Sequence, residues 1–171
     1  IVQTTDKLGI VVTSSNKTQG SLAIHPNVKI STGAYGFAVQ MKQLAETQIG
    51  WMALDGSSLF CASITSSGSM TLDVISEMSP LKIRKNKTNK PTIRVKSTDL
   101  IQIIINLDAG LLLGSVNGEL KLKELIEIHH PLVSIIAGPF FKGIEIHAVS
   151  KKDIQKLSSM NLGGVVDAEL A

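Results

Sequence analysis

The chain has 171 residues, a formal net charge of +3 and a hydrophobic fraction of 43%. That length suits one domain with a sizeable core, and that fraction excludes a disordered chain. No apolar run reaches the roughly 18 to 20 residues that a membrane-crossing helix needs.

The lone cysteine, Cys61, excludes an internal disulfide and favours a reducing, intracellular compartment, the cytoplasm first. Asn16 and Asn86 open Asn-x-Thr triplets, which would suit a secreted chain but arise readily by chance. The chain begins at Ile1, with neither Met nor the charged and apolar segments of a leader. A processed chain or a piece of a longer one is expected.

Ile1 to Asp6 carries no signal. Leu8 to Thr13 reads as a strand, and the polar stretch Ser14 to Gly20 as a loop. Ser21 to Ile30 is broken by His25-Pro26. Proline lacks a ladder donor, so a strand there lies at an edge or stops there. Ala34 to Met41 alternates, with Tyr35, Phe37 and Val39 on one side. Thr47 to Leu54 follows, with Ile49, Trp51 and Ala53 on one face and Met52 and Leu54 on the other. Asp55-Gly56-Ser57-Ser58 is a turn, Leu59 to Ile64 a strand, and Thr65 to Ser69 a turn. Turn signals recur every 8 to 12 residues or so, the spacing of an all-β sandwich or barrel. Thr71 to Glu77 fits strand or helical turn equally.

Seven cations then crowd into fifteen residues, from Lys82 through Arg84, Lys85, Lys87, Lys90 and Arg94 to Lys96, with no acid between them. Asn86, Asn89 and Pro91 mark a loop, while Ile83, Ile93 and Val95 suggest strands at its ends. Next comes the strongest local pattern. Leu100 to Leu107 meets a turn at Asp108-Ala109-Gly110, and Leu111 to Val116 meets another at Asn117-Gly118. Asn-Gly is a favoured tight-turn pair. Ile101, Ile103, Ile105 and Leu107 make one face apolar, while Leu100, Gln102, Ile104 and Asn106 make the other mixed. The pattern predicts a hairpin in a sheet with a single buried face. Leu120 to Ile128 is ambiguous. Leu132 to Ala137 reads as a buried strand and Gly143 to Val149 as an alternating one. Ser150-Lys151-Lys152-Asp153 caps a short helix to Ser159. Asn161 to Ala171 is a tail or a docking segment.

The chain has no Gly-x-Ser-x-Gly, His-Glu-x-x-His or Gly-x-x-x-x-Gly-Lys, so the positive case for catalysis is missing. His129-His130 invites a metal. Neighbours on a strand point to opposite faces, however, and a plain loop pair fits better. The basic run would suit phosphates or an acidic partner, but no aromatic for base stacking lies between Phe60 and Phe140. The simpler reading is a solvated loop guarding an edge strand. Trp51 shares its face with Ile49 and Ala53 and is expected in the core. Phe140-Phe141 follows Gly138-Pro139, and one of the two aromatics is a candidate for exposure. Asp55 and Asp108 sit in turns and are expected to bond their own backbone.

Three segments in order resemble the SPRY domain family. The first is Thr32-Gly33-Ala34-Tyr35-Gly36-Phe37-Ala38-Val39 with Gln48-Ile49-Gly50-Trp51. The second is Asp99, Leu107-Asp108, Gly110 and Asn117-Gly118-Glu119. The third is His130-Pro131-Leu132-Val133-Ser134-Ile135. Ser115 and Val116 stand where the family usually has an aromatic. The resemblance covers about Gly33 to Val149. It implies a bent β-sandwich whose loops at one rim hold a partner peptide, without catalysis.

The expected fold is all-β, a concanavalin-like or SPRY-like antiparallel sandwich with a short C-terminal helix. One domain is expected, with its core at 33–149, extension strands at 1–32, and helix and tail at 150–171. The expected function is a non-enzymatic protein interaction module or scaffold without cofactor or metal. Its partner is a protein or peptide, acidic if the basic loop takes part. The candidate contacts, chosen by loop position and charge, are Asp55, Gly56, Ser57, Arg84, Lys85, Lys87, Phe140 and Phe141. The alternative is a nucleic-acid-associated or self-assembling, shell-like subunit that uses the basic loop 82–96. A carbohydrate-binding sandwich stands third, because the chain lacks an aromatic platform.

Overall fold

The computed structural model describes residues 2–4, 9–12, 20–23, 29–76, 90–138 and 144–162. Before residue 29, and at Ser76, only the backbone is described. The strands are β1 (Val2–Thr4), β2 (Gly9–Val12), β3 (Gly20–Ala23), β4 (Ala34–Met41), β5 (Thr47–Ala53), β6 (Ser58–Ile64), β7 (Ser69–Ser76), β8 (Ile93–Arg94), β9 (Ile101–Asn106), β10 (Leu111–Val116), β11 (Glu119–Leu125), β12 (Leu132–Gly138) and β13 (Ile144–Ala148). Among the described residues one helix, α1 (Lys151–Ser159), follows them.

Among the described residues every strand pairing is antiparallel, in two sheets. One runs β1-β2-β13-β4-β9-β10-β11 and the other β3-β12-β5-β6-β7-β8. The all-β sandwich expected from turn spacing is the fold. The segment before residue 33 is woven into both sheets, with β2 between β1 and β13 and β3 along β12. Among the described residues β3 lies at a sheet edge, one of the two outcomes that His25-Pro26 allows. Of Thr71 to Glu77, ambiguous in sequence, Thr71 to Ser76 belongs to β7 and Glu77 lies outside the described residues, while Leu120 to Ile128 contains β11. Ile1 to Asp6, which carries no signal, holds β1. Its pairing with β2 decides its conformation.

Alternation builds the main core. Phe37 and Val39 of β4 and Ile101, Ile103 and Ile105 of β9 point inward from one sheet. Ile49 and Trp51 of β5, Phe60 and Ile64 of β6 and Met70 and Leu72 of β7 answer from the other. Burying each such side chain contributes roughly 1.5–3 kcal/mol. The sheet backbone leaves no room at Gly50, where a Cβ would stand 2.1 Å from the Phe60 carbonyl oxygen.

The single buried face expected for the β9–β10 hairpin is corrected here, because both faces are covered. Ile104 of β9 and Leu111 and Leu113 of β10 point away from the sandwich. They pack with Leu120, Val149 and the helix residues Ile154 and Leu157 in a second core. A nine-residue helix is marginal alone, so α1 depends on this docking. The mixed face holds its polar pair internally, since buried Ser115 donates its Oγ–H to Gln102 Oε1 at 2.9 Å. Ser150 caps α1 as its sequence predicts, its hydroxyl accepting from the Asp153 amide at 3.2 Å. No helix among the described residues is long and apolar enough to cross a membrane.

Candidate functional site

Strand registers bring several turns to one end of the sandwich. β4 begins at Ala34, opposite Asn106, where β9 ends. β13 ends at Ala148, opposite Phe37. In the other sheet β5 ends at Ala53, opposite Leu132, where β12 begins. Ile30 bridges to the same Leu132, and the chain from Ile30 to Ala34 crosses between the sheets there. The rim therefore gathers the turns 54–57 and 107–110, the loop 126–131 and the step from β13 into α1.

A cavity of about 270 Å³ opens at this rim. Phe37 and Trp51, one from each sheet, lie in its wall with their rings stacked, centroids 5.3 Å apart. Ile30, Val149 and Ile154 add apolar surface, and Ser134, opposite Trp51 on β12, adds a buried hydroxyl. Tyr35, 40% exposed, and Lys151 bring the outer polar groups. The Tyr35 ring lies over Gly33, where a Cβ would meet its hydroxyl at 3.2 Å. Gly33 also has φ +88°, a left-handed conformation that glycine adopts without steric cost.

Two carboxylates stiffen the rim. Asp55 Oδ1 accepts from the Ser57 hydroxyl at 2.6 Å and the Ser57 amide at 3.0 Å. These bonds, the hydroxyl first, hold its carboxyl below the ordinary range. Asp55 thus bonds its own turn, as expected. Asp108 does not, because its Oδ1 accepts from the Gly33 amide at 3.0 Å, 75 residues away. The Leu107 amide donates to Gly33 O at 2.8 Å. The β9–β10 turn is tied to the start of β4 and not to itself, because the register sets Ala34 against Asn106.

Of the residues chosen from sequence, Asp55, Gly56 and Ser57 lie on this rim. Gly56, with φ +76°, has open space around it. Arg84, Lys85, Lys87, Phe140 and Phe141 lie outside the described residues, as do Asn16 and Asn86. β7 ends at Ser76 opposite Ser58, on this rim. Gly138 and Ile144, the described neighbours of the two phenylalanines, end β12 and begin β13 at the far end. Trp51 is 2% exposed and sits in the core. Lys90 pairs with Asp73, which also accepts from the Ser63 hydroxyl, so one cation of the basic run is engaged on the sheet. His129 and His130 are exposed, and His129 stands 3.5 Å from the Glu127 carboxylate. Among the described residues no three His, Cys, Asp or Glu side chains come together. Cys61 is fully buried, and its desolvation, helped by nearby Asp73, pushes the thiol up to about 12.

Sequence reasoning missed the cavity. Ile30, Tyr35, Trp51, Ser134 and Lys151 are scattered along the chain, and no local pattern joins them. The helix cap at Ser150 was the one available signal, since it starts the helix at Lys151, just past the end of β13 at Ala148.

No protein-family model and no curated protein matches the chain. Solved structures do. The Emp47p carbohydrate recognition domain has a TM-score of 0.55 at 11% identity, over 86% of this chain and 83% of that one. The binding domain of botulinum neurotoxin serotype D has 0.50 at 14%, over 91% of this chain and 44% of that one. The SPRY domain of human HERC1 has 0.48 at 11%, over 88% and 93%. The fold is concanavalin-like. The Emp47p and neurotoxin structures are of a recognition domain and a binding domain, and identities this low speak for the fold alone.

Proposed function

We propose that the chain is a non-enzymatic binding module that holds a short peptide segment or partner surface at the rim. The observation that supports this most is the cavity, with apolar walls, a few polar groups and tied-down loops around it. Such preformed concave sites keep the ordering cost of binding low. In this reading Asp55, Gly56 and Ser57 flank the mouth. Arg84, Lys85 and Lys87, which follow β7 in the chain, add charge toward an acidic partner. Phe140 and Phe141 serve a separate contact.

Affinity capture from nuclease-treated extract tests this. Wild type is compared with Ala148→Trp, which crowds the cavity from an exposed lining position, and with a Lys85→Glu, Lys87→Glu double variant. A protein partner captured by wild type and lost with Ala148→Trp is expected. Equal recovery by Ala148→Trp would remove the rim from the reading. Capture abolished by nuclease would favour the nucleic-acid alternative, and a large species by light scattering the shell-like one.

A further inference from the structure

The cavity is smaller than the roughly 300–1,000 Å³ of pockets that enclose whole small ligands. At about 270 Å³ it has room for one large side chain, and the Phe37–Trp51 stack in its wall offers that group aromatic surface.

Among the described residues, the charged side chain that lines the opening is a lysine. Lys151 lines the opening; Lys152 follows it, and Lys29 precedes the lining residue Ile30. All three are exposed. The ion pairs among the described residues are Lys90–Asp73, Lys121–Glu119, His129–Glu127 and His147–Glu145, and none uses these lysines. Among the described residues no acid lines the cavity. The rim acids Asp55 and Asp108 accept from the Ser57 and Gly33 amides. Asp153, exposed on the first turn of α1, forms no ion pair among the described residues. Cations that form no ion pair among the described residues, beside an apolar hole, complement a ligand that joins an apolar group to a carboxylate.

Resting on the binding-module reading, we propose that the cavity takes one large apolar side chain of a peptide whose neighbouring residue is acidic. Lys151 and Lys29 hold the carboxylate. The Tyr35 ring, half out of the surface, covers the peptide backbone at the mouth. The apolar side chain supplies most of the affinity and the carboxylate fixes the direction in which the peptide lies.

Trp51 is the chain's single tryptophan, so its fluorescence reports the cavity directly. The probes are acetylated, amidated hexapeptides that carry Leu-Glu, Leu-Gln or Ala-Glu in a Gly-Ser background. The Leu-Glu peptide is expected to change Trp51 emission saturably, and the Ala-Glu peptide to leave it unchanged. The Leu-Gln peptide should bind about two- to fivefold more weakly, the size of an exposed ion pair. That gap should close at high salt. Lys151→Glu, at an exposed site, should abolish the preference for Leu-Glu over Leu-Gln. Equal binding of Leu-Glu and Leu-Gln by wild type, or a preference that survives Lys151→Glu, overturns the carboxylate assignment. Unchanged Trp51 emission with every peptide, while Ala148→Trp still loses a captured partner, overturns the proposal and leaves the binding-module reading standing. Silence in both assays removes both.

Discussion

The Phe37 and Trp51 rings stack with centroids 5.3 Å apart and planes 18° from parallel, one ring from each sheet. This contact ties the sandwich together under the rim and forms part of the cavity wall, so stability and binding share it. Phe37→Ala removes a buried ring and enlarges the cavity. We expect a loss of about 3–5 kcal/mol, read from chemical denaturation followed by Trp51 emission. Phe37→Leu keeps most of the apolar volume and should lose less. A Phe37→Ala protein as stable as wild type would show that the stack contributes nothing.

The strands were legible in the sequence because alternation and turn residues are local. Ala34 to Met41, Thr47 to Leu54 and the β9–β10 hairpin each hold their inward side chains two apart, and the turns at Asp55, Asp108 and Asn117 punctuate them. Turn chemistry with distant partners was less legible. Asp108 looked like a residue bonding its own turn, but the register delivers the Gly33 amide to it. The second buried face was hidden because α1, some fifty residues later, covers Ile104 and Leu113. The cavity was hidden for the same reason: its walls come from both sheets and the helix.

Asp99 joins the turn residues of the hairpin motif. Its Oδ2 accepts from the Lys96 amide at 2.8 Å and its Oδ1 from Asn117 Nδ2 at 3.0 Å, while Asn117 Oδ1 accepts from the Leu100 amide at 2.9 Å. These bonds, the Lys96 amide first, hold the Asp99 carboxyl below its ordinary 3.8. The folded state therefore binds fewer protons than the unfolded one around that pH. Its contribution is complete above about pH 4 and is lost as pH falls through the lowered value. Asp99 is half-buried, and solvent screening still keeps the effect to about 1 kcal/mol or less. Asp99→Ala should have a flatter stability profile than wild type between pH 6 and 3. Parallel profiles by urea denaturation would rule this out.

Glu124 behaves with the opposite sign. Partial burial raises its carboxyl above the ordinary 4.5, opposed by the charge of Lys90. The folded state binds more protons here, so stability falls as pH rises from about 4.5 through the raised value. Glu124→Gln removes that desolvation without changing shape. The variant should gain up to about 1 kcal/mol at pH 7 and nothing at pH 4. A loss at pH 7 would mean that attraction to Lys90 outweighs burial.

Helix α1 is held by two buried side chains, Ile154 and Leu157, and one cap. Leu157→Ala should cost about 2–5 kcal/mol if the helix and sheet unfold together. Ser150→Ala, which leaves the Asp153 amide without its acceptor, should cost about 1 kcal/mol. Denaturation monitored by far-ultraviolet circular dichroism and by Trp51 emission should give one midpoint for each variant. Separate midpoints would show that α1 undocks before the sandwich opens.

Cys61 offers a probe of that opening. Its thiol is 0% exposed and lies in β6 between β5 and β7. Burial first, and Asp73 next, push its pKa up to about 12. At pH 8 the native thiol is therefore almost wholly protonated, and reagents react with the thiolate. Alkylation of the native protein should therefore be far slower than of a free cysteine. It should accelerate with urea in step with the population of opened molecules. Phe37→Ala, by lowering global stability, should speed labelling at pH 8 by orders of magnitude, since each 1.4 kcal/mol is tenfold in the opened population. Labelling at the rate of a free thiol in the absence of denaturant would place Cys61 in solvent and overturn the packing of β6 between its neighbours.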